Sequence, residues 1–168
     1  MKPMKAFISI CLFLTSAIWC GATPFSAVPA ADDFGVGVTA WRFASSLSAD
    51  ATGTIEVVFT PVNGSERVIG RIGVRPFESS ESKIPDVHVL FSTAKVDGRS
   101  HVVLIIGYGI RSGTFVVDDP DLTSKSRVAD GLPAANSAGE HCLLTLGENS
   151  MNFVSGEGVV GHLILRYR

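Results

Sequence analysis

From residue 54 to the C-terminus, short β-branched runs alternate with turn dipeptides, a pattern that predicts strands in place of helices. Residues 55–62 read as a strand that stops at Asn63-Gly64. That dipeptide best tolerates positive φ at both centres of a tight hairpin turn, so Arg67–Val74 follows as an antiparallel partner. The polar run 78–83 marks a loop, and Pro85 sits at the permitted start of the next strand. Val87–Val96 ends at Asp97-Gly98, which turns the chain into 100–108, and Ser112-Gly113 returns it through 114–118. Strands joined by tight turns must be antiparallel neighbours, because a parallel crossover needs a dozen or more residues. The middle strand contains 102–106, apolar at every position, and is expected to be central and buried on both faces.

Residues 119–139 have no clear period and read as a long surface loop, with an irregular edge strand near 127–129. A sixth strand is expected at 141–146 and a last one at 159–168, where Val159, Gly161, Leu163, Leu165 and Tyr167 share one face. About seven strands over 54–168 with no assured helix predict an immunoglobulin-like antiparallel β-sandwich. Ahead of it, Phe34, Val36 and Val38 alternate with Gly35 and Gly37, so one face is apolar and the other nearly bare. Trp41 and Phe43 carry the opposite phase, which leaves either a break near Ala40 or a short helix over 40–47.

Charge sets the first 30 residues apart. Lys2 and Lys5 precede the apolar run 7–19, and no acidic residue appears before Asp32. This is the form of a secretory signal peptide, too short to span a bilayer. Cleavage fits after Ala22 or after Ala30, and the second is preferred; a lipid anchor on Cys20 is a further option. The chain then divides into a signal over 1–30, an N-terminal extension over 31–53 and one sandwich domain over 54–168.

Removing 1–30 takes away Lys2 and Lys5 and leaves 12 basic against 16 acidic residues, a balance without a basic patch for nucleic acid. It also takes away Cys11 and Cys20, so Cys142 has no internal disulfide partner and reads, between apolar neighbours, as a buried inert thiol. His88, His101, His141 and His162 are scattered singly, without metal-ligand spacing. The acids Asp118, Asp119 and Asp121 fit turn chemistry better than a calcium loop. No glycine loop precedes a helix, and neither metal nor cofactor is expected.

Several stretches carry a resemblance to a known family. The signal-like start, the extension FGVGVTA, the all-β body and the alternating end GVVGHLILRYR resemble subunits of chaperone–usher fimbriae. GRIGVR (70–75), HVLF (88–91) and VDGR (96–99) are similar in order and spacing to Afa-type invasin or tip subunits. Those subunits carry a cysteine pair, whereas position 73 here is Gly and Cys142 stands alone. The resemblance implies an incomplete sandwich completed by a donated strand, with a periplasmic chaperone, an outer-membrane usher, neighbouring subunits and a host receptor as partners. It implies Phe34, Val36 and Val38 as the donated strand and Leu163, Leu165 and Tyr167 as the wall of the acceptor groove.

A second resemblance covers 99–120. HVVLIIGYG followed by VVDDP is similar to the strand pair that carries the catalytic His and its orienting acid in papain-like cysteine peptidases, which would make His101 the base and Asp119 its partner. Those enzymes place the thiol upstream on a helix, yet no Cys lies between Val28 and His101. The expectation is therefore a non-enzymatic, exported adhesion subunit, with a papain-like fold bearing His101 and Asp119 as remnants of its site as the alternative.

Overall fold

The turn dipeptides set the framework. Asp97 (φ 50°) and Gly98 (φ 78°) both adopt the left-handed region, which matches the twist of the strands they join. In a computed structural model, the described residues are 24–28, 38–77, 84–128, 135–136, 138–148 and 158–168. Their elements run β1 (Phe25–Val28), β2 (Val38–Ser45), β3 (Gly53–Pro61), β4 (Arg67–Val74), β5 (Val87–Val96), β6 (Arg99–Tyr108), β7 (Arg111–Val117), α1 (Pro120–Ser124), β8 (Ser126–Val128), β9 (His141–Gly147) and β10 (Val159–Tyr167). None of the described helices is long and apolar enough to cross a membrane.

The strands form two five-stranded sheets, ordered β1-β2-β5-β6-β7 (sheet A) and β4-β3-β10-β9-β8 (sheet B), with every neighbouring pair antiparallel. The protein is thus the all-β antiparallel sandwich its pattern predicts. The described residues hold ten strands where about seven were expected over 54–168, because β1 and β2 lie ahead of residue 54 and the irregular edge near 127–129 is a strand, β8. A constant-type immunoglobulin sandwich orders its strands A-B-E-D and C-F-G. Here each sheet instead joins an antiparallel pair to a three-stranded meander: β1–β2 to β5–β6–β7, and β4–β3 to β10–β9–β8.

One apolar core fills the space between the sheets. Val87, Val89, Val102, Leu104, Ile106 and Phe43 from sheet A meet Ile55, Val57, Phe59, Leu143, Leu163 and Leu165 from sheet B, and all are fully buried. Full burial of such a side chain contributes about 1.5–3 kcal/mol. Two glycines let the sheets close beside β7: a Cβ on Gly70 would lie 2.5 Å from Phe115 Cδ2, and one on Gly113 would lie 2.8 Å from its Cζ. The Phe115 ring lies across both.

Three expectations need correction. The apolar run in β6 is buried on one face only: Val102, Leu104 and Ile106 point inward, whereas Val103 and Ile105 are half-buried on the outside. The short helix over 40–47 gives way to β2, a strand of constant phase with Trp41 and Phe43 inward and Val38 and Ala40 outward. Finally, the return turn expected at Ser112-Gly113 lies at Gly109 (φ 61°) and Ile110, and Ser112 and Gly113 fall inside β7. Strand β1, with Phe25 2% exposed in the core, lies within residues 1–30.

Candidate functional site

The His101–Asp119 pairing is not assembled, and strand parity explains why. Val102 and Val117 are cross-strand partners that point inward. His101 precedes the first by one residue and so faces outward, while Asp119 follows the second by two and keeps the inward phase. The Asp119 carboxylate accepts from Asp121 N at 3.0 Å, capping α1, and pairs with Arg67 Nη2 at 3.0 Å. Arg67 also reaches Asp121 at 3.1 Å and stacks 4.8 Å above Phe59, so it ties sheet B to the segment leaving sheet A. Cys142 lies on β9 of sheet B, across the sandwich from His101.

The predicted donor and acceptor residues are also dispersed. Phe34 and Val36 lie outside the described residues. Val38 begins β2, faces outward and is opposite Ser92 of β5, inside a sheet instead of on a free strand. Leu163 and Leu165 are fully buried on β10, which is paired on both sides, with β3 and β9. The groove expected along β10 is therefore filled by these neighbours. Tyr167 is half-buried, donates its hydroxyl to Thr52 O at 2.8 Å, and packs edge-on to Phe25 at 5.9 Å.

That last contact leads to a seam the sequence patterns did not reveal. Strand β1 pairs with β2 through four residues, from Phe25↔Ser45 to Val28↔Arg42. Pro24 O accepts from Ser46 N at 2.8 Å and from Ser46 Oγ at 3.1 Å. His141, 2% exposed on β9, brings Nε2 to 3.1 Å from Phe25 O, and its ring lies 5.0 Å from that of Phe43. A carbonyl only accepts, so this contact assigns the proton to Nε2. An N-terminal strand is thereby tied both to its own sheet and to the opposite one. An aromatic followed by small residues (FSAV) is the one local signal, and it is masked in the sequence by the nearby apolar run 7–19.

The outer face of sheet B carries two polar groupings. In the first, Thr145 Oγ1 is 3.2 Å from His162 Nδ1, and Cys142 Sγ is 3.8 Å from the same nitrogen and 3.9 Å from Thr145. Cys142 is half-buried, more accessible than the inert core thiol expected. In the second, Arg166 donates to Glu56 Oε2 from Nε at 3.1 Å and from Nη2 at 3.0 Å, while Glu66 lies 2.6 Å away and Glu140 3.9 Å. Burial works against the Arg166 charge, yet its bonds to Glu66 and Glu56 outweigh this and hold its pKa above the ordinary arginine value. The same bond holds the Glu66 carboxyl below its ordinary range. Breaking such a buried pair from one side costs about 3–5 kcal/mol, so this grouping is structural in character.

Among the described residues no three His, Cys, Asp or Glu side chains gather as a metal site. A pocket of about 260 Å³ between 61–63, Asp121, Glu148 and 158–160 is below the usual size of a small-molecule site. No family model, curated protein or solved structure matches the chain.

Proposed function

We propose that the protein is an exported subunit of a fimbrial or other surface-adhesion structure, assembled by a periplasmic chaperone and an outer-membrane usher, in which an N-terminal strand is the donated element. The donor in this reading is β1, Phe25–Val28, in place of Phe34, Val36 and Val38. The supporting observation is the seam: a short edge strand inserts one aromatic side chain, Phe25, into an otherwise complete core. The stretch 29–37 joins it to the body. Such a strand satisfies backbone groups of β2 and an apolar slot by Phe43, His141 and Tyr167, and an equivalent strand from a neighbouring subunit would satisfy them equally.

This reading requires cleavage after Ala22 instead of after Ala30, since the later cut removes all of β1. It is tested with a chain that begins at residue 29 and a synthetic peptide covering 23–37. The shortened chain should unfold without cooperativity or aggregate, and the peptide should bind and restore a sharp thermal transition. A shortened chain that unfolds cooperatively without the peptide sinks the reading.

A further inference from the structure

A regular strand sends alternate side chains to opposite faces, so residues three apart do not share one. On β9, Cys142 and Thr145 are three apart and yet both face outward, because the pairing of β9 with β10 shifts register between Leu163 and Ile164. Leu163 lies opposite Leu144 and Ile164 opposite Cys142, which leaves Leu143 as the extra residue of a β-bulge; Leu143 and Leu144 are both buried. Bulges re-aim side chains in this way beside functional sites. The one on β9 closes a triangle on the outer face of sheet B. His162 Nδ1 lies 3.2 Å from Thr145 Oγ1 and 3.8 Å from Cys142 Sγ, and the sulfur lies 3.9 Å from the same hydroxyl. On β3, the cross-strand partner of His162 is Thr60, whose buried hydroxyl has no hydrogen-bond partner among the described residues.

Together these groups supply what a reactive thiol requires. With its proton on Nε2, the imidazole offers the Nδ1 lone pair to the thiol or to the Thr145 hydroxyl, whichever donates to it. Cys142 is half-buried, so a small molecule can reach its sulfur. The unbonded Thr60 hydroxyl is left to meet a polar group of that molecule. We propose that Cys142 is a modification site that undergoes thiol–disulfide exchange with a low-molecular-weight disulfide, with His162 as the proton acceptor. Cys142 Sγ attacks one sulfur of the disulfide as its proton passes to Nδ1. The new S–S bond forms while the reagent's own S–S bond breaks. The departing thiolate takes the proton back from Nδ1 and leaves as a thiol. Cys142 ends oxidised as a mixed disulfide, one half of the reagent is reduced, and the imidazole is unchanged. This chemistry is independent of β1, which belongs to sheet A, whereas β9 and β10 belong to sheet B.

The test treats the full chain with glutathione disulfide at neutral pH, quenches in acid and follows the mixed disulfide by mass-spectrometric peptide mapping. Mapping separates Cys142 from Cys11 and Cys20. Cys142 should react about tenfold or more faster in the folded chain than in the chain unfolded in urea, where His162 no longer lies beside it. H162Q keeps a hydrogen-bonding side chain but cannot take up the thiol proton. It should slow the folded-state reaction by about tenfold or more, with circular dichroism unchanged. If H162Q misfolds, the comparison of folded with unfolded wild-type chain carries the decision. A Cys142 that reacts no faster in the folded chain than in the unfolded one overturns the inference, as does an H162Q rate equal to that of the wild type.

Discussion

The two edges of sheet A are opposite solutions to one problem. At one, β1 is only four residues long, yet it is held from both layers of the sandwich by Phe25 in the core, His141 on its carbonyl and Tyr167 against its ring. At the other, β7 is seven residues long and, among the described residues, no strand pairs with its outer side. Length therefore does not measure how firmly an edge strand belongs to a fold; the side chains it places between the sheets do. On the β7 side that role falls to Phe115, which covers Gly70 and Gly113 in the space between β7 and β4.

The contrast predicts a graded set of effects. Phe25→Ala should be the most damaging, lowering the free energy of unfolding in chemical denaturation by about 3–5 kcal/mol through the cavity left beside Phe43 and Tyr167. A loss below about 1 kcal/mol would mean that β1 adds little to the core. Gly70→Ala should cost about 1–3 kcal/mol, since its Cβ meets the Phe115 ring, and pairing it with Phe115→Leu should recover part of the loss. Equal costs in the single and double variants would show that Phe115 is not what closes that side.

A smaller effect is expected where the sheets are not in question. Glu66 is held below its ordinary pKa of 4.5 by Arg166, so it adds stability that is fully present above that value and is lost as pH falls through its lower folded value. Its side chain is 40% exposed, so solvent screening keeps this contribution to about 1 kcal/mol or less. Glu66→Gln should flatten the acid limb of a stability–pH curve by that amount, and an unchanged limb would assign the acid sensitivity to another group. The smallest change in stability belongs to Val116→Lys, within about 0.5 kcal/mol, because an exposed edge side chain packs against little. A larger loss would show that Val116 is not open to solvent.

Much of the sandwich was legible because local signals and tertiary structure agree. Asp97-Gly98 placed the tight hairpin β5–β6, and the period-two pattern of β10 identified Leu163 and Leu165 as inward residues. Asn63-Gly64 marked the β3–β4 connection, but the chain crosses there by a longer loop over 62–66 in which Gly64 and not Asn63 takes positive φ. Misreadings arose where one local signal had two physical meanings. The run in β6 is as apolar as a strand buried on both faces, but its outer half forms part of an exposed band. Phe25 follows the apolar run 7–19 closely, so hydrophobicity alone could not set the strand apart from that run. Spacing brought His101 and Asp119 within a hairpin of each other, whereas the alternation of side chains sent them to opposite faces. The Arg166 grouping was beyond any local pattern, since Glu56, Glu66, Glu140 and Arg166 meet only when β10 docks between β3 and β9.

The most direct test of β1 as part of the finished protein is the intact mass of the chain recovered after export from a Gram-negative host. Retention of the strand predicts a chain that begins at Thr23. A chain that begins at Ala31, lacking Phe25–Val28 and still folded, would contradict it.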